Sequence, residues 1–182
     1  MSVLKDILKA NKVFYQSSQS PHIQEDESAK VPQRHFAIVT CMDTRLVGFL
    51  EPALGIKRGE CTLIKSAGNY ITDSFDNIIQ SLLVSIFELG VTEIFVIGHH
   101  ECGMTNTTSD RIIGTMIQRG ISMEAIKTFC SQIETWASGF KDPESNVYNT
   151  VKKLKEHPLI PADIVIHGLM IHPRSGKIEE LL

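Results

Sequence analysis

Apolar side chains recur at helical spacing over residues 2–18, at Val3, Leu4, Ile7, Leu8, Val13 and Phe14, which predicts an amphipathic N-terminal helix. A polar stretch with two prolines follows and predicts a loop or arm. From His35 the pattern changes. "HFAIVTCM", "CTLIKSAG", "VTEIFVIGH" and "ADIVIHGLMIHP" are apolar runs rich in β-branched residues, as expected of strands covered on both faces. Between them lie helical patterns. "LVGFLEPALGI" predicts a short helix broken by Pro52. "TDSFDNIIQSLLVSIFELG" predicts a strong helix capped by Asp73 or Ser74 and closed near Gly90. Residues 109–138 predict two helices divided near Gly120, and 144–156 one more. "SGK" predicts a turn into a short last segment. Strands alternating with helices imply an α/β fold with a mainly parallel central β-sheet flanked by helices. The division is residues 1–34 as helix and arm, and 35–182 as a single α/β domain.

Composition narrows the partners. Net charge is −3, so neither nucleic acid nor an anionic membrane is the expected partner. No apolar run reaches membrane-spanning length, and the N-terminus lacks a signal-peptide pattern, so a cytoplasmic location is expected. Four widely spaced cysteines do not make a disulfide scaffold. Cys61 and Cys130 are expected as buried packing residues.

The chemistry gathers at two strand ends. One strand runs "AIVTCMDTRL" and the other "IFVIGHHECGM". In a parallel sheet these carboxyl ends share a rim, where ligands of such folds sit. If the chain turns helically after Gly98, His99 and Cys102 share a face and His100 points elsewhere. Cys41 completes a set of two thiolates and one imidazole, which suits zinc and leaves one coordination position open. Glu101 is expected as a solvated side chain.

Cys-x-Asp-x-Arg followed by Gly-His-x-x-Cys-Gly resembles the motif pair of the β-class carbonic anhydrases, here Cys41, Asp43, Arg45, then Gly98, His99, Cys102 and Gly103. "KSAGNYIT" resembles another family segment at Ala67, Gly68 and Asn69, and "IHGLMIHPRSGKI" its late strand. The similarity spans about residue 35 to the C-terminus, in the manner of compact bacterial members. It implies a β-carbonic anhydrase-like fold and Zn2+ on Cys41, His99 and Cys102, one ion per subunit. It further implies an Asp43–Arg45 catalytic dyad, with Asp43 as a fourth ligand in a closed state, and Gly68 as a substrate-contacting backbone position. The implied reaction is reversible hydration of carbon dioxide to bicarbonate and a proton by hydroxide held on zinc. Carbonyl sulfide or carbon disulfide hydrolysis is the alternative at the same site, and a non-catalytic zinc scaffold the alternative of another class. A homodimer or homotetramer is implied, with the N-terminal helix on a neighbouring subunit.

Several positions accompany that expectation. Val47, Phe49, Ile71 and Phe75 are candidates for an apolar pocket. His100, His35, His167 and His172 are candidates for a proton relay. Lys65 and Ser66 replace the family's arginine and asparagine, and the single tryptophan, Trp136, lies in a late helix. The inhibitory bicarbonate site of some members is therefore not expected.

Overall fold

The computed structural model describes residues 2–16 and 31–182; most of the expected arm lies outside them. Helix α1 spans Val3–Gln16. Strand β1 spans Phe36–Cys41, helix α2 Leu50–Ala53, strand β2 Cys61–Ser66, helix α3 Asn77–Phe87 and strand β3 Glu93–His99. Helices α4 (Ser109–Gln118), α5 (Met123–Gly139) and α6 (Pro143–Lys155) precede strands β4 (Val165–Ile171) and β5 (Ile178–Glu180).

The sheet order is β2-β1-β3-β4-β5. The first four strands are parallel, and β5 folds back antiparallel on β4 through the turn after His172. Strand order therefore reverses between β1 and β3, the place where open α/β sheets bind ligands. Register pairs Thr40 with Ile97, so Cys41 and His99 leave the sheet at the same rim on either side of that reversal.

Alternate residues of the strands feed two cores. Ala37, Val39, Ile94 and Val96 face Ile79 and Leu82 of α3 and Val147, Val151 and Leu154 of α6. Ile38 and Ile97 face the other way, with Leu46, Leu50, Met104, Phe140, Cys41 and Cys102. Each fully buried leucine or isoleucine contributes about 1.5–3 kcal/mol. Pro52 lies inside the first turn of the four-residue α2, where its missing N–H has no helical partner to lose.

The start of α3 differs from expectation. Asp76, not Asp73 or Ser74, is the cap: its Oδ1 accepts from the backbone N–H of Ile78 at 3.0 Å and Ile79 at 3.2 Å. Asp73 instead turns onto the N–H of Phe75 at 3.0 Å. Gly120, at φ 85°, separates α4 from α5 as expected. The apolar side chains Val3, Leu4, Ile7 and Leu8 of α1 are 59–72% exposed on this chain.

Candidate metal centre

Three buried side chains converge at the β1/β3 rim. The ligand atoms of Cys41, His99 and Cys102 all lie within 4.8 Å of one another, the one such group among the described residues. Cys41 is held as the last residue of β1 and His99 as the last of β3. Cys102 arrives by a different route from the helical turn expected. Glu101 takes a left-handed backbone, φ 56°, and Cys102 is extended before a short helical turn at Gly103–Asn106. That reversal, not i/i+3 helical spacing, brings Cys102 beside His99.

The donors suit a dication. The two sulfurs are 3.9 Å apart, far beyond disulfide length. Tetrahedral zinc with bonds of ~2.3 Å sets two sulfurs ~3.8 Å apart. His99 Nδ1 lies 2.9 Å from the His100 carbonyl. A carbonyl only accepts, so Nδ1 carries the proton and Nε2 presents a bare lone pair. Nε2 is buried and has no hydrogen-bond partner, an arrangement that costs free energy unless a cation or donor meets it.

The thiols share a proton. A hydrogen bond from Cys102, with smaller help from the His99 side chain and the backbone of Gly68 and Asp43, holds Cys41 well below the usual thiol range against the opposing effect of burial. The same contact and burial push Cys102 far above it. A cation bound there would displace the proton held on Cys102. Burial opposes the charged form of His99, but its contacts with Cys41, the His100 carbonyl and Asp43 shift it upward overall.

Asp43 stands next to this group, its Oδ2 3.7 Å from His99 Nε2. Arg45 grips it by three hydrogen bonds of 2.9 Å: the backbone N–H and Nε–H to Oδ1, and Nη2–H to Oδ2. This grip, foremost the side-chain bonds, holds the Asp43 carboxyl down to about 2. Leu46 and Leu50, both fully buried, anchor the turn that carries the pair. Glu101 is not merely solvated: its carboxylate accepts from Arg45 Nη1 at 3.1 Å and Arg174 Nη2 at 3.3 Å.

Gly68 lies against the site at φ 69°, and a Cβ there would meet Phe140 at 2.8 Å and Met104 at 2.9 Å. Its carbonyl accepts from buried Asn146 Nδ2 at 2.8 Å, while the Asn69 carbonyl accepts from Thr150 Oγ1 at 3.3 Å. Neither support was foreseen from sequence. The available signal was that Asn146 and Thr150 fall on the apolar stripe of α6 with Val147, Val151 and Leu154.

Other candidates separate. Ile71 belongs to the core on the opposite sheet face, whereas Phe49 packs on the site's side. Val47 and Phe75 are exposed on this chain. Met104, Phe140 and Tyr70 line the site's face instead. His100 and His172 lie together, ring centroids 5.9 Å apart, at the site's rim. His35 precedes β1 and bonds the Gly90 carbonyl, and His167 pairs with Glu93 at 2.7 Å; both lie toward the amino ends of the strands. Cys61 is half-buried against the core, but Cys130 hydrogen-bonds Glu134 at 3.3 Å rather than packing inside. Lys65 pairs with Glu51 at 3.6 Å.

A mainly parallel α/β sheet carries two thiols, an imidazole and an arginine-clamped aspartate at its reversal point, and this defines an α/β protein with a site able to hold a metal ion. The family model "Carbonic anhydrase" matches residues 36–178, and the chain belongs to the β-class carbonic anhydrase family. The crystal structure of β-carbonic anhydrase isoform I from Trichomonas vaginalis superimposes with TM-score 0.94 at 49% identity, covering 100% of this chain and 98% of that one. The Bacillus subtilis protein YtiB is 38% identical over 98% of this chain and 96% of its own length. A carbon disulfide hydrolase of Acidithiobacillus thiooxidans is 28% identical, covering 80% of this chain and 76% of that protein.

Proposed function

We propose that the chain catalyses reversible hydration of carbon dioxide to bicarbonate and a proton, with Zn2+ held by Cys41, His99 and Cys102. The observation that carries this reading is the orphaned His99 Nε2 facing an aspartate clamped by Arg45. Bound zinc would act as a Lewis acid that lowers the pKa of water from ~16 toward ~7. The protein's own groups do the rest. The His100 carbonyl fixes the His99 tautomer. Asp43 Oδ2 accepts a hydrogen bond from the attacking water and orients its lone pair toward the substrate carbon. Arg45 keeps Asp43 an acceptor and keeps it off the metal, which Asp43 would ligate in a closed state. Gly68 lets the backbone approach the Cys41 sulfur and the substrate space closely. Met104, Phe140 and Ala67 give a small apolar substrate an apolar wall.

The exposed apolar face of α1 supports a homodimer or homotetramer in which that helix packs on a neighbouring copy. The four free cysteines fit the reducing cytoplasm. Resemblance to the carbon disulfide hydrolase favours a second reading, hydrolysis of carbonyl sulfide or carbon disulfide at the same groups. The intact Asp43–Arg45 clamp argues against a non-catalytic scaffold. Stopped-flow carbon dioxide hydration by the zinc-loaded protein, run beside a sulfide-release assay, tests the choice. Sulfide release without hydration would replace the first reading with the second; absence of both would leave the scaffold.

A further inference from the structure

We propose that Glu101 and Arg174 form a latch that holds Arg45 on Asp43, making both of them positioning residues for the reaction. The proposal rests on the roles given above to Asp43 and Arg45.

A guanidinium has five N–H donors in a rigid plane. Four of Arg45's are engaged. Nε–H meets Asp43 Oδ1 at 2.9 Å, Nη2 donates to Asp43 Oδ2 at 2.9 Å and to the Glu101 carbonyl at 2.8 Å, and Nη1 donates to Glu101 Oε2 at 3.1 Å. Asp43 therefore holds one edge of the plane and Glu101 the adjacent edge. A planar group gripped on two edges cannot swing off Asp43 without also breaking from Glu101. Glu101 is in turn bridged by Arg174 Nη2 at 3.3 Å, from the turn joining β4 to β5. Charges alternate from the metal ligands outward: Asp43, Arg45, Glu101, Arg174.

The backbone at Glu101 supports the same role. Its φ of 56° is one that side chains other than Asn and Asp rarely adopt, and glycine would adopt it without strain. In this conformation both the carbonyl and the carboxylate of Glu101 face Arg45. The turn that sets Cys102 beside His99 therefore also sets the second grip on Arg45, so ligand spacing and dyad geometry are one mechanical unit. Without that grip, Asp43 Oδ2, already 3.7 Å from His99 Nε2, is freer to turn onto the metal.

The test uses Glu101→Gln, Glu101→Gly, Arg174→Ala and the Glu101→Gln/Arg174→Ala double variant of the full chain. Glu101→Gln should lower kcat for carbon dioxide hydration about two- to fivefold with KM unchanged, the range for one exposed ion pair among several. Glu101→Gly, relieved of its strained backbone, should melt at or above wild type yet lose at least as much turnover. Arg174→Ala should add nothing in the Glu101→Gln background. A readout independent of turnover is azide affinity of the cobalt-substituted protein, followed by visible absorption; it should weaken by the same factor as Asp43 competes for the metal. Wild-type kcat and azide affinity in Glu101→Gln would overturn the latch, as would losses that merely track lower melting temperature or metal content. If wild type hydrates no carbon dioxide, the reaction reading falls and azide affinity alone decides the latch.

Discussion

Replacing Arg45 with alanine removes two of the three hydrogen bonds on Asp43, those from Nε and Nη2, and spares the one from the backbone N–H of residue 45. The carboxyl is held at about 2, against an ordinary 3.8. That difference corresponds to about 2.5 kcal/mol. The Arg45 side chain is 36% exposed, so solvent screening reduces the clamp's contribution to stability to about 1 kcal/mol. That predicts a melting temperature lower by about 2–4 °C for a chain of this length. The effect on turnover is larger, because Asp43 keeps one anchor and loses its aim. Misplacement of a catalytic group by about 1 Å costs on the order of 100-fold. Zinc content should stay at wild type, since no ligand atom belongs to Arg45. Stopped-flow hydration, elemental analysis and thermal melts measure the three effects on one preparation. A kcat within threefold of wild type, or a loss of zinc equal to the loss of activity, would refute the reasoning. The sign with pH is also fixed. A depressed carboxyl stabilises the fold above its unfolded pKa and loses that contribution as pH falls toward 2, so the stability gap between wild type and Arg45→Ala should close on acidification.

Two thiolates cancel the formal charge of zinc, so the pH profile of hydration should rise above neutrality; a rate flat down to pH 6 contradicts this. Zinc affinity should strengthen at least tenfold per pH unit between pH 6 and 8, because the proton pinned between Cys41 and Cys102 must leave on binding and any proton on His99 must leave with it. Competition against a chromophoric chelator reads that slope, and a flat curve would rule out the shared proton. Gly68→Ala should destabilise by about 1–3 kcal/mol, combining a left-handed backbone with contacts on Phe140 and Met104; an unchanged denaturation midpoint would count against both causes.

The four main strands, and Cys41 and His99 of the converging trio, were legible because each depends on local pattern: continuous apolar runs, and sulfur or imidazole directly at a strand end. What escaped depends on where distant parts meet. Asp73 and Asp76 are equal as caps in sequence; packing of Ile78, Ile79 and Leu82 on the sheet sets the first helical turn, and only Asp76 then meets two free N–H groups. Glu101 finds its partners 56 and 73 residues away, so nothing near it announces them. Ile71 sits close to Gly68 in sequence but crosses to the other core, because the turn at Gly68–Asn69 sends the chain across the sheet edge. Cys102 does lie beside His99, but through the left-handed turn at Glu101 and not the helical spacing expected.

The reversal of strand order between β1 and β3 has a consequence for assembly. Cys41 and Cys102 are 61 residues apart, and they meet only after β2 and α3 have formed a crossover that lets β3 dock on β1. Parallel pairing of this kind is the slow, non-local part of folding. Only a chain in which this docking is complete offers a metal all three donors at once, and binding there adds RT ln(1 + [L]/Kd) to the native side of the balance. Metal capture is thus a clock for the sheet's centre: its rate in refolding marks the moment the two middle strands close.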